Sequence, residues 1–189
     1  MVSLMNRKFY VVLFCTVFFI QNLTFAQEAI LSNITVTNTR DDLLVYLNAE
    51  SAFREKTEKA ILSGMPVTFS FFITLYQVNN IWLDNKIASL KVTHTIKYNN
   101  LKKEYIIKRS WENGNFLATQ SFSEAKRLMT EIDSLKIVQL KQLEKGVHYQ
   151  IRAKAELSKL TLPFYLHYVL FFVSLWDFET DWYTIDFIY

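Results

Sequence analysis

Cysteine occurs once in the 189 residues, proline twice and glycine three times. A single thiol excludes a disulfide framework and any cysteine-rich zinc site. Three glycines are too few for a glycine-rich phosphate cradle. No dinucleotide fingerprint, G-x-S-x-G or H-E-x-x-H signature occurs either. Charge of one sign is also scarce. Lys and Arg total 21 against 18 Asp and Glu, and a net +3 gives no argument for a nucleic-acid partner. Apolar surface is what the chain has in quantity. Hydrophobic residues make up 51% and aromatics 16%, which excludes a disordered chain and points to a packed core.

The N-terminus reads as an address. Arg7 and Lys8 precede an apolar run from Phe9 to Ile20, and Thr24-Phe25-Ala26 follows as a small-residue cleavage site. This is the pattern of a secretory signal peptide over residues 1–26, leaving 27–189 as one exported domain in the periplasm. The run is short for a bilayer core of about 30 Å, which takes roughly 20 residues. An uncleaved anchor in the inner membrane is the alternative. Cys15 lies mid-run behind Leu13-Phe14, where a lipid-modified cysteine would not. Cleavage would remove this only thiol together with two of the basic residues.

Beyond the leader the dominant signal is a period of two, the mark of half-buried strands. Val67, Phe69, Phe71, Ile73 and Leu75 share one face, as do Leu90, Val92, His94, Ile96 and Tyr98. Val147 to Leu157 and Tyr183 to Tyr189 alternate in the same way, and weaker strands fall at Ile30–Val36, Leu43–Ala49, Lys102–Trp111 and Leu135–Leu143. Asn79-Asn80, Asn99-Asn100, Asn113-Gly114-Asn115 and Lys145-Gly146 separate the runs with turn chemistry, which describes an antiparallel meander. Two segments are helical instead. One spans about Ala52 to Ser63 and stops at Gly64 and Pro66. The other starts at the S-x-x-E box of Ser121 and Glu124 and places Ala125, Leu128, Met129, Ile132 and Leu135 on one face. The fold class is therefore α+β: an antiparallel sheet or sandwich of about eight strands with two amphipathic helices.

Leu160 to Trp176 carries no formal charge over 17 residues. Pro163, His167 and Ser174 interrupt it, and the following tail has acids but no Lys or Arg, which opposes a spanning helix in an exported protein. Buried core is the expectation, with membrane contact as the alternative. The alternating last strand with its terminal Tyr189 also resembles the end of an outer-membrane barrel. The Lys-, Arg- and Glu-rich opposite faces suit a solvated sheet better.

No residue set forms a catalytic or metal site by spacing. Asp177-x-Glu179-x-Asp181 begins like a calcium loop but lacks its glycine and its distal glutamate. His94 sits on an apolar strand face, where a core histidine with both nitrogens satisfied is the expectation. A hydrolase using Asp84, His94 or Asp181 is the remote alternative. The aromatics beside charges are the better candidates. Trp82, Asp84 and Lys86 lie at one turn, and Trp176, Asp181, Trp182 and Tyr183 frame the last loop, together a candidate binding surface.

Several segments taken in order resemble one family. They are Ala60-Ile61-Leu62-Ser63-Gly64-Met65-Pro66-Val67, then Trp82-Leu83-Asp84-Asn85-Lys86-Ile87-Ala88, then Tyr98-Asn99-Asn100-Leu101 leading to Glu104-Tyr105. Phe122 to Leu128, Leu162-Pro163 through Trp176, and Asp181-Trp182-Tyr183 complete the set. The chain over about residues 30 to 189 resembles the exported bacterial family known as domain of unknown function 4390. The resemblance implies a small envelope protein behind a signal or membrane segment. It implies no activity, catalytic residue or cofactor. The functional expectation is a non-enzymatic periplasmic module that binds an envelope protein partner. A carrier or sensor of an apolar ligand, using the aromatic C-terminal segment, is the alternative, and contact with a lipid surface belongs to either.

Overall fold

The structure is a computed structural model and describes residues 29–79, 81–112, 114–157 and 178–189. The expected leader and the segment Leu160–Trp176 lie outside the described residues. In chain order the elements are β1 (Ile30–Asn38), β2 (Asp42–Glu50), α1 (Glu55–Leu62), β3 (Val67–Gln77), β4 (Asn85–Asn99), β5 (Glu104–Arg109), β6 (Phe116–Thr119), α2 (Phe122–Thr130), β7 (Glu131–Gln139), β8 (His148–Leu157) and β9 (Tyr183–Ile188). A single 3-10 turn, Leu140–Gln142, follows β7.

The strands form two sheets, and every pairing within them is antiparallel. One has three strands in the order β1-β2-β7, the other six in the order β6-β5-β4-β3-β8-β9. This is the expected α+β sandwich with two helices. The meander holds only from β3 to β6. The chain then passes through α2 into the small sheet and returns to set β8 beside β3.

Alternation decides which faces meet. Val67, Phe69, Phe71, Ile73 and Leu75 of β3 are all essentially inaccessible and look inward, with Ile96, Ile107, Ile151, Ala153 and Ala155 beside them on the same sheet. Val45, Leu47 and Ile132 of the small sheet are buried in the same core. The opposite face of the large sheet carries Thr68, Phe72, Tyr76, Lys91, Lys97, Lys108, Arg152 and Lys154, and Lys91 Nζ lies 4.9 Å from the Phe72 ring centre. The two helices close one side of the sandwich. Phe122 of α2 stacks on Tyr105 of β5 at 5.1 Å and meets Phe53, just before α1, edge-on at 6.2 Å. Lys126 and Glu58 join the helices at 3.3 Å.

The stop signal of α1 works as read. Gly64 has φ +84°, its N–H donates to the Ile61 carbonyl at 2.8 Å, and the Met65 N–H donates to Ala60 at 3.1 Å. This pair of hydrogen bonds satisfies carbonyls that the helix end would leave open. A Cβ at Gly64 would also lie 3.2 Å from Asn100 Nδ2. Gly64→Ala is therefore expected to lower stability by about 1 to 2 kcal/mol, read from the urea midpoint.

Four expectations need correction. α1 begins at Glu55, three residues later than expected, after an extended Arg54. α2 ends at Thr130, so Ile132 and Leu135 belong to β7. They mimic helical spacing because Ser134 takes φ +51° and bulges the strand, leaving Asp133 and Ser134 both exposed between two inward residues. The strand expected at Leu135–Leu143 accordingly starts four residues earlier. Finally, β4 extends back to Asn85, because the register shift opposite Leu75 and Tyr76 breaks the alternation there. The short β6 makes nine strands among the described residues, one more than the sequence suggests.

Candidate functional site

The residues singled out by sequence divide into three places. His94 is inside. It lies on the inner face of β4, 0% exposed, with Phe71 at 4.9 Å and Trp111 at 4.6 Å between ring centres. Its Nδ1 donates to the Met129 carbonyl at 2.7 Å, at the end of α2. Arg109 works beside it, giving Nε and Nη2 to the Leu128 carbonyl at 3.1 and 2.9 Å and Nη1 to Glu112 at 2.9 Å. Together they satisfy two carbonyls that the last helical turn cannot pair internally. Burial pulls the His94 imidazole down from 6.5 to about 3. The Met129 bond opposes this, and the Arg109 charge adds to it. The ring is neutral, and its Nε2 is buried without a hydrogen-bond partner among the described residues. The expectation that both nitrogens are satisfied holds for one of them.

Asp84 stands at the base of the β3–β4 hairpin. Arg152 of β8 reaches it at 2.7 Å while lying over the Tyr76 ring at 4.4 Å and giving Nε to Gln150. Gln150 in turn donates to Asp186 at 2.9 Å, and His148 lies 3.2 Å from the same carboxylate. This polar chain runs across β8 and β9 on the outer face and fixes the hairpin to the sheet. Trp82 and Lys86 are exposed on either side of Asp84. Asp84 therefore occupies a strand end with its charge paired, His94 faces the core from mid-strand, and Asp181 sits on a third segment. The three are not gathered into one catalytic group.

That third segment leads into β9. Phe178 and Thr180 point inward, and Thr180 Oγ1 accepts from the Ala155 N–H at 3.0 Å. Glu179 points outward and pairs with Lys154, whose ammonium also lies 5.6 Å from the Trp182 ring centre. Asp181, Trp182 and Tyr183 then line an open cleft of about 580 Å³ with Ile30, Leu31 and Arg54. Its walls are the start of β1 and the segment from Glu179 that enters β9 at Tyr183, and β1 and β9 are the outermost strands of their sheets among the described residues. The seven-residue surface read from sequence is thus two surfaces. By register Tyr183 pairs with Ala153, whereas the hairpin end of β3 pairs with Tyr149, so the tryptophans at 82 and 182 serve different regions. Trp176 lies outside the described residues. Sequence reasoning missed Ile30, Leu31 and Arg54, because only the folded sandwich brings the start of β1 beside the segment entering β9.

The profile of the family described as domain of unknown function (DUF4390) matches residues 26–186. The chain belongs to this family. The match runs from before β1 into β9, so both walls of the cleft, the hairpin and the His94 cluster all fall inside the family region. No curated protein and no solved structure is detectably similar to the chain. No helix among the described residues is long and apolar enough to cross a membrane.

Proposed function

We propose that this family member is a non-enzymatic accessory module of the cell envelope, exported behind its leader, that docks a protein partner along the open β1–β9 side of the sandwich. The cleft carries this reading. β1 and β9 are each the outermost strand of a sheet among the described residues, and such edges offer backbone groups that an extended segment of a partner can use. Trp182, 54% exposed, and Tyr183 supply rigid aromatic area of the kind that anchors interfaces. Arg54, Glu179 and Asp181 form a polar rim of both signs, suited to a protein rather than to a polyanion. The open shape favours docking over enclosure of a free apolar ligand.

A photoreactive phenylalanine analogue at position 182 or 183, introduced in the native host, tests this. The expected result is one reproducible protein adduct from both positions, weakened by Arg54→Glu and absent when the probe stands at Lys97 on the far part of the sheet. No adduct from either position, or equal labelling from Lys97, would refute the docking side.

A further inference from the structure

The β3–β4 tip holds the longest run of exposed large apolar side chains among the described residues. Ile81, Trp82 and Leu83 are consecutive, with 92%, 82% and 90% of their surfaces facing solvent. Turns ordinarily carry Asn, Asp, Gly or Ser there, and three large apolar side chains held in water are a liability unless they meet an apolar partner. The hairpin base keeps them from folding back. Asn79 Nδ2 donates to the Leu83 carbonyl at 3.1 Å, the Val78 N–H donates to the His148 carbonyl at 2.9 Å, and the Asp84–Arg152 pair ties the returning strand to β8. The tip is a braced projection.

Its shape selects the partner. The tip is convex, and all three side chains are open to solvent at once. A strand-adding protein reads one edge and a groove reads one face, so either would leave part of this tip in water. The acyl boundary of a bilayer is fluid and surrounds a convex wedge on every side. Tryptophan suits that boundary, with its ring among the chains and its N–H toward the headgroups.

The strand order places charge at the same end of the sandwich. The β1–β2 turn, the connection from β7 to β8 and the end of β9 all lie there, and the N–H of Gly146 donates to the Tyr189 carbonyl. Arg40, Lys86, Lys141 and Lys145 are exposed and have no ion-pair partner among the described residues, whereas Asp42 and Asp84 are matched by Lys136 and Arg152. Asp41, Glu144 and Asp186, whose partners are Gln150 and His148, are the acids left without a Lys or Arg among the described residues, so the four basic residues hold a narrow excess at this end. Ile188, 74% exposed, adds apolar surface at this end.

We infer that Ile81, Trp82 and Leu83 form a wedge that inserts into the headgroup region of an anionic lipid bilayer, with the basic residues of the same end turned toward the lipid phosphates. This surface is separate from the β1–β9 cleft, so its test is independent of partner docking.

The experiment uses protein purified from its native envelope and vesicles of phosphatidylethanolamine and phosphatidylglycerol with brominated acyl chains. Bromine is expected to quench a component of the tryptophan emission that disappears in Trp82→Phe, a substitution that keeps apolar bulk. A variant carrying Ile81→Ser, Trp82→Ser and Leu83→Ser is expected to partition at least about tenfold more weakly, with unchanged circular dichroism because these side chains support nothing else. Phosphatidylcholine vesicles are expected to bind the wild type several-fold less well. Quenching that survives in Trp82→Phe, partition unchanged in the serine variant, or equal binding to phosphatidylcholine would overturn the proposal. So would a photoreactive residue at 82 that labels a protein and no lipid.

Discussion

Phe69→Ala is expected to remove about 4 kcal/mol of folding stability, a large share of the 5 to 15 kcal/mol typical of a domain. Phe69 is 0% exposed and pairs across the sheet with His94 on one side and Leu157 on the other. Its ring meets Phe53 at 5.1 Å and Phe178 at 5.1 Å. It is therefore the joint between the segment entering α1, the centre of the large sheet and the segment entering β9. Truncation loses the transfer energy of a phenyl ring and leaves a cavity whose walls are strands, which relax little. Phe72→Ala on the opposite face of the same strand is the contrast. Phe72 is half-buried beneath Lys91, and its loss is expected to cost about 1 kcal/mol. Urea denaturation of both variants measures the difference. Equal losses would mean that the facing of β3 is wrong.

Acidification is expected to destabilise the fold through His94. The imidazole titrates at about 3 in the fold and near 6.5 when released, chiefly because burial disfavours its charge. Between these values the unfolded chain binds a proton that the folded one refuses. The His94 contribution is thus fully present above about pH 6.5 and falls away as the pH drops toward 3. From pH 7 to pH 4.5 this amounts to about 2 to 3 kcal/mol. Arg109 is the charge that bears on the ring, Phe71, Trp111 and the Met129 carbonyl lie against it, and no carboxylate among the described residues offsets an imidazolium charge. His94→Phe keeps an aromatic ring beside Phe71 and Trp111 and removes the titration. Its absolute stability falls because the Met129 carbonyl loses its donor, but its loss between pH 7 and 4.5 should be smaller than the wild type's by that same 2 to 3 kcal/mol. Chemical denaturation at several pH values reads the slope directly, and identical slopes would refute the neutral buried histidine.

The surfaces were legible in part. Trp82, Asp84 and Lys86 stand out in sequence because a tryptophan at a turn between alternating runs has no strand face to cover. The tip's apolar neighbours Ile81 and Leu83 are equally visible as letters. Their joint exposure follows from the Asn79, Asp84 and Arg152 contacts, and Arg152 arrives from 68 residues away. Asp181, Trp182 and Tyr183 stand out in sequence as a cluster, yet their cleft needs Ile30 and Leu31 of β1, whose place beside the segment entering β9 depends on how two sheets stack. The misread ends of α2, β7 and β4 share one cause. Bulges at Ser134 and opposite Tyr76 break a strict period of two, and a bulged strand then imitates a helix or hides its first residues.

By itself the sequence determined the class of the fold, the inward faces of β3, β4 and β8, and the stop of α1. Each depends on a local rule: side-chain alternation, or a backbone angle that glycine alone takes cheaply. Tertiary structure decided the division into two sheets, the return of β8 beside β3, the neutral state of His94 and the separation of the two tryptophan surfaces. These depend on contacts between residues far apart in the chain, where burial sets the charge state and sheet stacking sets the neighbours, and no local pattern carries either quantity.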